Sequence, residues 1–188
     1  MDFAHRLRPG PPWLDEGHPL PVSVNIAERQ LKHPNFVALV ARVLEETGLP
    51  PNLLTLELTE NIFFQNYKDK ELDVVLEQVK ALGVMLALDD FGTGYSTLSC
   101  LTQIPFDEIK IDRSLTASIT KEREAAIVKG ILGMAKDLGM QVVAEGVETQ
   151  EQVDFYCRLR CDLLQGHYFA RPLPPDAVTR LLKQDLTA

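Results

Sequence analysis

The sequence predicts an α/β fold, a (β/α) barrel. Three observations carry that expectation: a unit of helix, glycine, strand and acid that recurs, a fixed spacing between the acids, and strands whose two faces differ in polarity.

The helices come first. Apolar residues recur three and four apart in Phe36, Leu39, Val40, Val43 and Leu44, again in Leu72, Val75, Leu76, Val79 and Leu82, and again in Ile127, Ile131, Met134, Ala135 and Leu138, which is the period of an amphipathic helix. Each run stops at a glycine, Gly48, Gly83 or Gly139, where a left-handed C-cap is wanted and a Cβ is penalised. Short apolar runs follow, "LLTLE", "VMLALD" and "QVVAE", and "VSVN" and "IKID" read as two further strands. Asn25 to Glu57 and Glu57 to Asp89 are each 32 residues apart. Such a βα repeat, with crossover helices, demands parallel strands.

Alternation within the strands selects the barrel. Ser23 and Asn25 share one face of "VSVN" and Val22 and Val24 the other; Lys110 and Asp112 oppose Ile109 and Ile111, and Leu56 and Leu88 oppose Glu57 and Asp89. An open doubly wound sheet would be apolar on both faces, whereas a barrel tolerates polar groups inside near its mouth. Asn25, Glu57, Asp89, Asp90, Asp112 and Glu145 then fall at or near strand C-terminal ends, the rim where such barrels keep their chemistry.

Composition narrows the function. A chain of 188 residues, 45% hydrophobic, can bury one sizeable core, so one domain is expected over 21–188, with 1–20 the remnant of an early helix and its connecting loop. The net charge of −8 and the lack of a lysine or arginine run argue against duplex nucleic acid. Cys100, Cys157 and Cys161 are odd in number and no signal-peptide pattern opens the chain, which places the protein in the cytoplasm. No apolar run approaches the ~20 residues that span a bilayer, so direct membrane contact is not expected.

Carboxylates converging on one rim repel each other unless a cation is present, and oxygen-only donors favour Mg²⁺ or Mn²⁺ over zinc. Asp89 and Asp90 can both reach metal, and the glycines after them let the next loop fold over a ligand.

The motifs "SVN" (23–25), "LELTE" (56–60), "DDFGTGYSTL" (89–98), "IKID" (109–112), "AEGVET" (144–149) and "QGHYFARPL" (165–173) together resemble the EAL family, bacterial phosphodiesterases of cyclic di-GMP, over about 21–182. The resemblance implies a TIM-like barrel and hydrolysis of cyclic di-GMP to the linear dinucleotide pGpG. It implies two Mg²⁺ or Mn²⁺ ions held by Asn25, Glu57, Asp89, Asp90 and Glu145. Lys110 would contact the attacking water, Asp89 and Glu145 would act with it in catalysis, Asp112 and Gln165 would lie beside the substrate, and Glu60 would anchor the 91–96 loop.

One departure stands against these matches. The Glu-Ala-Leu triplet that names the family, with its glutamate ligand and nearby arginine, does not occur in this chain, and Phe3–Arg8 resembles the tail of the helix that follows it. A complete barrel takes about 250 residues, so the first strands are expected to be missing. "VSVN" and the strand near "GHYF" should then offer unpaired edges beside Val22, Val24 and Phe169, to be covered by a second copy or by the missing upstream segment. Two functions follow: a metal-dependent phosphodiesterase, or an inactive cyclic di-GMP-binding or interaction module.

Plainer readings apply to single residues. A strand-end acid can be a solvated rim residue or a helix N-cap. Lys110 can pair with Asp112 or form a Schiff base, although surrounding carboxylates keep its pKa high and disfavour the latter. Cys157 and Cys161 read as buried thiols, since no His or Cys pair completes a zinc set. The four histidines, His5, His18, His33 and His167, are scattered, and Glu148 reads as a second functional acid, a salt-bridge partner or a helix N-terminal charge.

Overall fold

The computed structural model describes residues 20–60, 62, 70–92, 101 and 104–185. Residues 1–19 of the expected remnant, most of the 91–96 loop, Cys100, His5 and His18 lie outside the described residues. Among the described residues no helix is long and apolar enough to cross a membrane.

Six strands form one sheet in chain order: β1 (Val22–Asn25), β2 (Leu54–Thr59), β3 (Met85–Phe91), β4 (Glu108–Ile111), β5 (Gln141–Ala144) and β6 (Leu163–Leu164). The pairings of β3 with β4, β4 with β5 and β5 with β6 are parallel. The helices are α1 (Glu28–Leu31), α2 (Phe36–Thr47), α3 (Lys70–Ala81), α4 (Arg113–Ala117), α5 (Glu122–Asp137), α6 (Gln150–Arg158) and α7 (Pro175–Asp185). The chain divides into two units, the first taking residues up to Leu56, Lys70–Met85 and those from Pro172, the second Glu57–Asp69 and Leu86–Arg171.

In the first unit, α2 buries Phe36, Val40, Val43 and Leu44 and packs against α3, which buries Leu72, Leu76 and Val79. These are the three-and-four spacings expected for a core-facing stripe, and each fully buried aliphatic side chain contributes about 1.5–3 kcal/mol. Gly48 ends α2 at φ +66°, its N–H donating to the Leu44 carbonyl over 2.9 Å.

The second unit holds the parallel strands. Leu86, Ala87, Leu88, Ile109, Ile111, Val142 and Ala144 are almost wholly buried, and α5 lays Val128, Ile131 and Ala135 against β5. The stripe expected through Ile127 and Leu138 is displaced: Ile127 is 49% exposed and Leu138 46%, and Val128 takes the inward position instead. Both registers share Ile131 and Ala135. A turn of about 100° per residue allows only one of Ile127 and Val128 to face the strand. On α6, Tyr156 is completely buried and its hydroxyl hydrogen-bonds the Thr116 hydroxyl at 2.9 Å, tying α6 to α4.

Three further expectations change. β3 runs through both aspartates to Phe91 rather than ending at Asp89. β6 spans Leu163 and Leu164, the strand expected near "GHYF", but Phe169 after it is 55% exposed rather than part of the apolar core, whereas Val24 is buried. Cys157 is exposed and Cys161 half-buried, not two buried thiols. The Cys161 thiol is instead a weak donor to the carbonyls of Val142 and Leu163, and burial pushes it up to about 11.

Candidate functional site

The alternation that places Ile109 and Ile111 on one face of β4 aims Lys110 at the other, where it is 5% exposed. A lysine buried so deeply needs acceptors for its three donors. Its Nζ donates to Glu145 Oε1 at 2.6 Å and Glu57 Oε1 at 2.7 Å and lies 3.4 Å from Asp89 Oδ1. Three sequence-distant acids, from the middle of β2, from β3 and from just past β5, thus meet on one ammonium. Burial alone would lower the Lys110 pKa, but the hydrogen bonds to Glu145 and Glu57 and the charge of both acids outweigh it and hold it above the ordinary lysine range.

The acids outnumber their cation. Burial pushes Glu145 above the usual carboxylate range despite its hydrogen bond to Lys110, and the charges of Asp89 and Glu57 add to that shift. Asp90 is raised first by burial, then by Asp89 and Asp112, with Lys110 and Arg113 opposing.

Asp90 also has φ +58°, a left-handed conformation that strains a non-glycine residue. The cause is a bulge: Leu88 pairs with Ile109 and Phe91 with Ile111, so β3 spends three steps where β4 spends two. The bulge returns Phe91 to the core while Asp89 stays turned onto Lys110, and the Asp90 N–H donates to Asp89 Oδ1 at 3.0 Å.

The rest of the rim is set by backbone contacts. The Glu145 N–H donates to the Ile111 carbonyl at 3.1 Å, and Val147 N–H to the Gln165 carbonyl at 3.0 Å. A Cβ on Gly166 would meet the Val147 carbonyl oxygen at 2.0 Å, so only glycine lets Gln165 dock there. The Gln165 residue is exposed. Asp112 caps α4, its Oδ1 accepting from the Ser114 N–H at 2.9 Å. Glu60 is 5% exposed, and among the described residues neither of its carboxylate oxygens finds a hydrogen-bond partner. Asn25 ends β1 and is exposed. Glu148 is exposed and sits 3.9 Å from His167 Nδ1.

The sequence reading missed Glu108. This acid opens β4, is half-buried, and is held above the usual carboxylate range by burial, with Lys110 opposing and the charges of Glu57 and Glu145 adding. The signal was present, because Glu108, Lys110 and Asp112 alternate along one face.

The donor set is chemically right for a hard divalent cation. Among the described residues, however, no three acidic, histidine or cysteine side chains stand close enough together to hold a metal as they lie. Lys110 occupies the centre that they face.

A sheet with parallel pairings that carries a buried lysine and converging carboxylates defines the class, a (β/α)-barrel fold with a charged rim. The EAL domain family matches residues 6–172, and the chain belongs to it. Its fold is an incomplete EAL-type TIM barrel. The chain is 41% identical over 165 residues to cyclic di-GMP phosphodiesterase NbdA of Pseudomonas aeruginosa, covering 87% of this chain and 21% of that protein. The structure of the PaMucR phosphodiesterase with c-di-GMP aligns at a TM-score of 0.82 and 38% identity, covering 93% of this chain and 69% of that one. BlrP1 of Klebsiella pneumoniae, in a manganese and cyclic di-GMP complex, aligns at 0.75 and 35% identity, covering 81% and 39%. The chain spans about a fifth of the length of the curated relatives it matches.

Proposed function

We propose that the chain is a cyclic di-GMP phosphodiesterase domain that opens the cyclic dinucleotide to linear pGpG in bacterial second-messenger signalling, using two Mg²⁺ or Mn²⁺ ions. The gathering of Glu57, Asp89 and Glu145 on the buried Lys110 ammonium carries this reading. Three carboxylates meet one ammonium, and Asp90 adds its charge beside them, an excess of negative charge that burial disfavours and a cation relieves. Asn25, Glu57, Asp89, Asp90 and Glu145 would hold the ions. Held there, a pair of cations would supply activation of water and neutralisation of the phosphodiester oxygens.

The side chains divide the remaining work. Lys110, held above its ordinary range, keeps its proton at Nζ throughout the working pH range. It therefore donates and never abstracts, orienting Glu57 and Glu145 and facing the charge that develops on phosphorus. Glu145, raised by burial and hydrogen-bonded by Lys110, is suited to take a proton from water and return it. Asp89 bridges the two halves of the acid cluster, Asp112 and Gln165 face the nucleotide, and Glu60 anchors the loop after Phe91.

The test is release of linear pGpG by the 188-residue chain in MnCl₂, alone and with a Glu-Ala-Leu-bearing segment supplied in trans. Slow Mn²⁺-dependent release that rises with the segment supports the reading. Product that forms equally in EDTA, or none under either condition, contradicts it. A second reading, a non-catalytic cyclic di-GMP-binding or interaction module, is favoured by Lys110 standing at the centre that the acids face, and dinucleotide binding without product would support it.

A further inference from the structure

At the opposite end of β5 from Glu145 lies a groove of about 600 Å³, within the usual range of small-molecule sites. Gln141 opens the strand there, roughly 13 Å along it from Glu145. The groove runs between the second half of α5 and the turn that follows α6. Three of its lining residues are cations, Lys129, Lys136 and Arg160, in a protein whose net charge is −8.

Among the described residues those cations have no ion-pair partner. Elsewhere on the surface some exposed cations pair one turn away, as Lys32 does with Glu28, Arg42 with Glu46 and Arg180 with Asp176, while Arg123, Arg158 and Arg171 make no ion pair among the described residues. Lys129 and Lys136 are flanked at those spacings only by Ala125, Ala126, Leu132, Gly133, Gly139 and Met140. None of the three groove cations makes an ion pair among the described residues. The one acid of the groove, Asp162, spends Oδ2 on the Val142 N–H at 2.9 Å.

Two local choices work against stability and favour an open, positive floor. Gly133 sits inside α5 between the lysines, where alanine would hold a helix better. A Cβ there would touch nothing within 4 Å, so packing does not require the glycine. Arg160 has φ +57° at the end of α6, a left-handed position normally given to glycine. A charged side chain thus occupies a strained backbone position, a pattern found at ligand sites.

We infer that this groove is a second ligand site, distinct from the acid rim, that takes a phosphorylated small molecule of nucleotide size. The two ammonium groups and the guanidinium receive the phosphoryl oxygens. Leu132, Met140 and Leu159 give an apolar wall for the remainder of the ligand. The wall and the glycine floor favour a compact ligand with an apolar body over an acidic peptide, which would need only charge.

Equilibrium dialysis of the full chain with labelled ATP tests this, in EDTA so that no divalent ion bridges the probe to the acid rim, at about 0.15 M salt. Saturable binding is expected, weakened about three- to tenfold by Lys129→Ala and by Lys136→Ala. Arg160→Gly and Gly133→Leu separate binding from folding. Each should cut affinity at least about tenfold while the melting temperature stays level or rises, because one relieves strain and the other improves a helix. Absence of saturable ATP binding overturns the inference. So does affinity unmoved by all four variants, or displacement of ATP by an octa-aspartate peptide as effectively as by unlabelled ATP.

Discussion

Acids sit at both ends of the parallel strands, and the two ends use them differently. Where strands begin, Asp107 Oδ2 accepts the Leu86 N–H at 2.7 Å and Asp162 Oδ2 accepts the Val142 N–H at 2.9 Å. Each of these acids directly precedes a strand and latches the start of the strand before it. Where strands end, Glu57 and Glu145 accept from Lys110, and Asp89 from Lys110 and the neighbouring Asp90 N–H. The first arrangement satisfies a backbone donor and closes a structural account. The second crowds like charges around one cation and stores repulsion. What a carboxylate accepts from separates a structural acid from a functional one here.

The contrast can be broken from either end. Lys110→Met should have the largest effect, because it leaves Glu57, Asp89 and Glu145 crowded and unpaired. A loss of about 3–5 kcal/mol in urea unfolding at neutral pH is expected, together with loss of any hydrolytic activity. Asp107→Ala comes next. It orphans the Leu86 N–H, so a loss of about 1–3 kcal/mol is expected, with activity per folded molecule unchanged. Asp90→Asn should act in the opposite direction, since asparagine tolerates φ +58° and carries no charge. Its melting temperature should rise by about 2–4 °C while Mn²⁺-dependent turnover falls.

The smallest effect is a pH slope. Asp90, Glu108 and Glu145 are all raised in the folded state, by burial first. The folded protein therefore binds more protons than the unfolded chain above the ordinary carboxylate pKa of about 4. Their effect is to lower stability as pH rises from there through their raised values. Lys110 is raised too, and its contribution is complete below the ordinary lysine value of about 10.4, so it adds no slope between pH 4 and 8. Thermal melts across that range should show the decline in the wild type and a shallower one in Asp90→Asn.

The sequence showed the repeat and the placement of Glu57, Asp89 and Lys110 on one face of their strands because each rests on a regular period. Alternation along "IKID" is enough to put Lys110 on the face away from Ile109 and Ile111. The details that escaped it are those decided by neighbouring strands. Whether Asp89 or Asp90 turns inward depends on a bulge set by pairing with β4, which no local pattern in "LALDDF" encodes. The rotation of α5 depends on which of Ile127 and Val128 the strand beneath accepts. The latches at Asp107 and Asp162 had a legible signal, an aspartate immediately before a short strand in "FDEIKI" and "CDLLQ", but its meaning requires the preceding strand to be in place.

Calorimetric titration of Mn²⁺ into three proteins tests the central claim most directly: the wild type, Asp89→Asn at the strand ends and Asp107→Asn at the strand starts. Weak Mn²⁺ binding is expected in the wild type, retained in Asp107→Asn and reduced at least about tenfold in Asp89→Asn, whose bridging carboxylate would serve two ions. Equal affinity in all three proteins would contradict the assignment of the Lys110 cluster as the functional site.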